Sequence, residues 1–136
     1  MERWFILGLL AVFLFGLGSF LGKFASNSDI SPRVYFFEVV GTITVFTTFF
    51  LLKKSEILNG FSVNYYAIGM GLCWGIGTVL FIFALENSKV SMITTLTALY
   101  PAITIILAYI FLAERLDTKE IVGVLLAMVA IFLIVK

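Results

Sequence analysis

Residues 90–113, "VSMITTLTALYPAITIILAYIFLA", contain no charged side chain, and neither do residues 63–85. Runs of that length dominate what this chain can become. A helix needs roughly 20 consecutive apolar residues to cross the hydrocarbon of a bilayer. A barrel strand needs only about ten, and alternates in polarity. Both runs are twice a strand's length, so they read as membrane-spanning helices. Residues 4–22 form a third uncharged run at the N-terminus, "WFILGLLAVFLFGLGSFLG". It lacks a polar stretch ending in a small-residue cleavage site, so it reads as a retained span rather than a removable leader.

Composition supports lipid as the solvent. The chain has 136 residues, of which 62% are hydrophobic and 12% charged, and its mean hydropathy is +1.15. Ordinary soluble domains carry about 25% charged residues. Five spans are expected, at about residues 4–25, 32–52, 63–85, 90–113 and 118–135. Ser31 reads as an N-cap with Pro32 at the first helical position. The segment "SEILNGFSVN" reads as a polar turn broken at Asn59-Gly60. "ENSK" is a tight turn that makes spans three and four a hairpin. Asp117 caps the last span, with Glu120 completing a capping box.

The same composition excludes several functions. Histidine is absent, which removes the commonest metal ligand and acid–base group. No nucleophile–base pair, metal cluster or phosphate loop is visible, so neither an enzyme nor a metal or cofactor is expected. The net charge of +1 gives nucleic acid no purchase. The lone Cys73 forms no internal disulfide.

Loop charge, which normally sets orientation, gives almost no instruction here. One side of the bilayer receives Arg3, Lys53, Lys54, Arg115 and Lys119; the other receives Lys23, Arg33, Lys89 and Lys136. The positive-inside rule needs a clear excess of basic residues on one side. A five-to-four balance leads to an expectation of insertion in both directions.

Several residues stand out as candidates for function. Pro101 lacks an N–H, so the carbonyl of Thr97 loses its helical donor. In lipid such a carbonyl needs another partner or a wet cavity. Thr97, Tyr100 and Thr104 share one helical stripe, with Pro101 at its margin. The expectation is a span bent at its middle that turns hydroxyls toward a cavity. The competing expectation is a packing kink, with the threonines bonded back to their own helix. Trp74 and Thr78 share a face of span three, four residues apart. Gly18/Gly22 and Gly71/Gly75 match GxxxG spacing, suited to close helix packing, and Gly123/Ala127 offer another small face, expected as a dimer seam. Lys23 and Glu38 lie nearest to being charges inside the membrane, on the same side and at similar depth. They are expected either to neutralise one another, with Arg33 as a second partner for Glu38, or to leave Glu38 as a proton-coupling or cation-binding carboxylate.

Residues 84–136 carry a recognisable pattern: a short turn, the mid-span Tyr100-Pro101, "AERL" at 113–116, and a last helix containing Gly123. With "FGLGSFLGKFA" near the N-terminus, this resembles a single EamA domain of the drug/metabolite transporter superfamily. The resemblance implies an all-α polytopic membrane protein of five transmembrane helices, half of an inverted-repeat transporter, in the cell (plasma or inner) membrane. Most members of that superfamily carry two such units of opposite orientation, so a lone unit implies an antiparallel homodimer around a small-molecule site. The substrate expected is a small metabolite such as an amino acid. A flippase for a lipid-linked polar headgroup, or a subunit pairing with another five-helix protein, are the alternatives. The small multidrug exporters of the superfamily use a first-helix glutamate, which is absent here.

Overall fold

An unpaired backbone N–H or C=O is costly in hydrocarbon, so a spanning segment must close its hydrogen bonds within itself. The computed structural model, which describes residues 3–60 and 62–135, follows that rule. Every regular element among the described residues is a helix: α1 (Arg3–Ser28), α2 (Ser31–Leu58), α3 (Tyr65–Glu86), α4 (Val90–Thr97), α5 (Tyr100–Phe111) and α6 (Thr118–Val135). Lys136, counted above among the basic residues, lies outside the described part. α1, α2, α3 and the stretch Val90–Phe111 are each long and apolar enough to cross a membrane. α6 completes the five-helix, all-α polytopic architecture.

The helix ends follow local chemistry. Asn64 caps α3, its side chain accepting from the backbone N–H of Ala67 at 3.1 Å. The capping box of α6 forms as expected. The N–H of Lys119 bonds to Asp117 Oδ1 at 2.9 Å, and the N–H of Asp117 to Glu120 Oε2 at 2.8 Å. Two expected boundaries are corrected. α2 does not stop at residue 52: it kinks at Lys53 (φ −117°, ψ 15°) and resumes to Leu58, with Lys53 paired to Glu56 at 2.7 Å. The turn that follows is therefore shorter and contains Gly60, at φ +66°. The second correction concerns Ser31, which is not a cap. Ile30 holds that position without a side-chain bond, and Ser31 lies inside the helix.

The chain forms two compact units, Met1–Asn87 and Ser88–Lys136. In the first, α1, α2 and α3 meet at one end. Val34, Ile82 and Leu85 are buried there, together with Ser26 and Ser31. Gly22 eases the approach of α1 to α3: a Cβ at that position would stand 3.3 Å from Leu85 Cδ1, a tight contact that the leucine tip would have to relieve. Further along α2, residues 41–49 are all exposed, so the packing is concentrated where the α1–α2 turn meets the end of α3. In the second unit α4 packs on α6. Ala98, Ala102 and Ile105 face Val124, Ala127 and Met128 across an apolar cleft of about 100 Å³. Ala127, expected at a dimer seam, lines this cleft within the unit.

Candidate functional site

Most membrane-embedded hydroxyls here satisfy themselves locally. Ser19 donates to Phe15 O, Thr44 to Val40 O, Thr48 to Thr44 O and Thr78 to Trp74 O, all at 2.9–3.0 Å. This bond to the carbonyl four residues back is the cheapest solution for a hydroxyl in a helix. Hydroxyls that depart from it therefore mark places with other chemistry. Thr42, Ser31 and Ser26 are three such departures.

Thr42 donates to Glu38 Oε1 at 3.1 Å. Glu38 lies seven residues into α2, roughly 10 Å along the axis at 1.5 Å per residue. It is exposed, and among the described residues it has no basic partner. Arg33 is held by Asp29 at 2.9 Å. Lys23, the partner expected from depth, reaches instead to the carbonyl oxygen of Leu85, at 2.6 Å. That carbonyl belongs to the last turn of α3, where no helical donor remains and the helix dipole is negative. An ammonium group satisfies both needs. The structure therefore does not bring Lys23 and Glu38 together.

Ser31 donates to the carboxylate of Glu86, at the end of α3. This explains why it does not cap α2. Ser26 is buried, and its hydroxyl finds no partner among the described residues. The end of unit one thus holds a polar cluster of Lys23, Ser26, Ser31, Glu86 and the Leu85 carbonyl. Ser26 and Glu86 were not expected from the sequence. The available signals were weak: the i, i+4 pair of small residues Gly22 and Ser26, and an acidic residue closing span three.

Glu38 occupies the same stripe of α2 as Ser31 and Val34, followed by Thr42 and Val45, at helical spacing. Ser31 and Val34 are buried, whereas Glu38, Thr42 and Val45 are exposed. The carboxylate therefore begins where packing ends. On α3, Leu85 and Ile82 are buried, Thr78 on the same stripe is half-buried, and Trp74 is exposed. Tyr35 and Gly75 bring α2 and α3 close beyond the packed end, the Tyr35 hydroxyl lying 4.0 Å from where a Gly75 Cβ would stand.

In unit two the helix breaks where Pro101 requires it. Ala98 and Leu99 separate α4 from α5 with ψ of 0° and −14°, a tightened turn rather than an unwound one. Three-residue bonds span it, Leu99 N to Leu96 O at 3.1 Å and Ala102 N to Leu99 O at 3.0 Å. Thr97, Tyr100, Pro101 and Thr104 are exposed, and Pro101 also lines the apolar cleft against α6. The hydroxyl of Thr97 donates to Ile93 O at 2.9 Å, and that of Thr104 to Tyr100 O at 3.2 Å. Each keeps lone pairs as acceptors. The span is interrupted at the proline, and the threonines bond back to their own helix.

Residues 2–136 match the EamA-like transporter family. The chain belongs to that family. EamA proteins are transporters rather than enzymes, so this chain is a multi-pass membrane protein of a transporter family. An uncharacterised protein of Methanocaldococcus jannaschii, MJ1333.1, is similar to it, with 31% identity over 135 residues that cover 98% of this chain and 97% of that protein. No solved structure matches. Within the EamA frame, the Tyr100-Pro101 element is the break between α4 and α5, and the "AERL" element begins at Ala113, which follows α5 at φ +55°.

Proposed function

We propose that this EamA protein is a secondary transporter of a small metabolite, such as an amino acid, working as a single five-helix domain in an antiparallel homodimer of the cell membrane. The observation that carries the reading is Glu38. A carboxylate roughly 10 Å into a spanning helix, held by one threonine and, among the described residues, by no cation, is costly against lipid and is retained where it serves a pathway. Glu38 is the coupling carboxylate, binding a proton or another cation in exchange with substrate. Trp74 and Thr78 in the first unit are candidate pathway residues, and so, in the second unit taken by itself, are Thr97, Tyr100, Pro101 and Thr104. The near-balance of loop charge supports two opposite insertions, which would give the lone domain an inverted partner. The lipid-headgroup alternative loses ground, because two cations it would recruit, Lys23 and Arg33, are already engaged.

Purified protein in vesicles under an imposed pH gradient tests this. An amino-acid mixture added outside should drive proton movement, read by a trapped pH dye, and Glu38→Gln should lose that movement while remaining monodisperse. Full coupled movement by Glu38→Gln removes the coupling role. C-terminal reporters at native expression should appear on both sides of the membrane, and two or three lysines added to one side should collapse them onto one. Reporters on a single side from the start would end the dual-insertion claim.

A further inference from the structure

The end of unit one away from its packed core is held by little protein. Residues 3–10 of α1, 41–49 of α2 and 65–68 of α3 are all exposed. The levels reached by the three helices can still be matched from the packed end. Ser31, at the start of α2, bonds Glu86, at the end of α3, so those two points are level. From Ser31 to the kink at Lys53 is roughly 33 Å, and from Glu86 back to Tyr65 about 32 Å, at 1.5 Å per residue. Lys23 reaches the Leu85 carbonyl. Trp4 lies about 28 Å back from Lys23 along α1, and Tyr66 about 28 Å back from Leu85 along α3. Trp4, the kink at Lys53, Tyr65 and Tyr66 therefore fall near one level. Its distance from the packed end is close to the ~30 Å of a bilayer's hydrocarbon. Tryptophan and tyrosine collect at the membrane–water interface, and all three aromatics are exposed. α2 thus enters the headgroup layer where it kinks.

Beyond the kink α2 continues to Leu58. A straight continuation would carry Ile57 and Leu58 about 9 Å further, into water. At helical spacing Lys54, Ile57 and Leu58 share one flank of this last segment, and Lys53, Ser55 and Glu56 take the other. The charge of Lys53 is cancelled by Glu56, at 2.7 Å. Lys54 has no acidic partner among the described residues. Its flank carries two apolar side chains and one uncompensated ammonium on a flexible stem. That combination fits a phospholipid surface: the apolar pair enters the upper acyl region while the amine stays with the phosphates. We propose that residues 53–58 form a foot that lies in the headgroup layer and binds anionic phospholipid through Lys54. The foot rests on lipid at the end where the helices have no protein to rest on. None of this depends on the transport reading.

The test uses full-length protein in nanodiscs. Leu58→Cys in a Cys73→Ala background carries a fluorescent label, and phospholipids brominated high in the acyl chain are the quenchers. Both lipids should quench the label. At equal mole fraction brominated phosphatidylglycerol should be favoured over brominated phosphatidylcholine about fivefold, the effect of one basic residue near an anionic surface. Lys54→Gln should bring that ratio close to unity, and Lys54→Arg should keep it. Glu56→Gln frees Lys53 and should raise the ratio roughly a further fivefold. Residues 54 and 56 are exposed, so these changes spare the packed core. A label that neither lipid quenches stands in water and overturns the foot. An unchanged ratio in Lys54→Gln overturns the lipid site, as does a ratio that fails to rise in Glu56→Gln. Inorganic phosphate at constant ionic strength should leave the ratio unmoved. If it abolishes the preference, Lys54 holds a free anion and the lipid proposal falls.

Discussion

Replacing Pro101 with alanine should fuse α4 and α5 into one helix. The break spans two residues, Ala98 and Leu99, whose φ values of −63° and −76° are already helical; only their ψ values of 0° and −14° depart. Little backbone must move. An N–H at position 101 would give Thr97 O its missing donor, worth about 0.5–1.5 kcal/mol net in water. Removing the ring also relieves its clash with that carbonyl, part of the ~3 kcal/mol that separates proline from alanine inside a helix. The chain has already relaxed around the proline, so only part of that sum is recoverable. An increase in stability of about 1–2 kcal/mol is expected. Equilibrium unfolding in mixed micelles measures the increase, and hydrogen exchange of the amides from residue 98 to 102 locates it. Protection should rise there and nowhere else. If Pro101→Ala is destabilising, or those amides exchange as before, tertiary packing and not proline holds the break.

Three further outcomes are expected. Ala113 sits at φ +55° directly after α5, a conformation that costs an L-residue about 1–2 kcal/mol, so Ala113→Gly should raise the unfolding midpoint in micelles; a fall would show that the alanine methyl is needed. Glu120→Ala removes the bond to the Asp117 N–H and should cost about 0.5–1 kcal/mol, read as faster exchange confined to the first turn of α6. In a Cys73→Ala background, Thr97→Cys and Thr104→Cys should react with a water-soluble thiol reagent and be protected by transported substrate, while Leu99→Cys and Ile106→Cys stay silent; uniform reactivity around the helix would leave Pro101 as a packing kink.

The sequence revealed the spans because length and lack of charge are properties of each segment alone. The break at residues 98–99 was equally visible, since a proline's missing N–H is a local fact. What escaped was decided by contacts distant in sequence. Ser31 has every local mark of an N-cap, yet its hydroxyl is taken by Glu86, 55 residues away. Lys23 looked for a carboxylate at matching depth and found a backbone carbonyl, which every residue carries and no residue type announces. Ala113 gave no sign of its positive φ, because the residue that would have signalled it is glycine.

Glu38 is where these strands meet. Translocon-based scales put an acidic residue at the centre of a span at about 2.5–3.5 kcal/mol. A hydrogen bond to a charged group returns about 1.5–3 kcal/mol, and Thr42 supplies one, at 3.1 Å. The two figures nearly cancel, so the carboxylate is tolerable but not satisfied. A second donor or a proton would complete it. Packing cannot provide that partner, since the stripe that buries Ser31 and Val34 ends at this residue. Had Lys23 been available, Glu38 would be neutralised and inert as a coupling group. By committing Lys23 to the end of α3, the fold leaves the carboxylate open to exchange partners and strengthens the end of unit one with the same side chain. Lys23→Met should therefore weaken the packed end of unit one and leave the Glu38–Thr42 bond in place, and Glu38→Gln should spare that end. Measured separately, by equilibrium unfolding in mixed micelles and by proton movement in vesicles, the two substitutions should be independent. Strong coupling between them would mean that Lys23 and Glu38 do pair in another state, and that the two-partner arrangement described here is only half of the cycle.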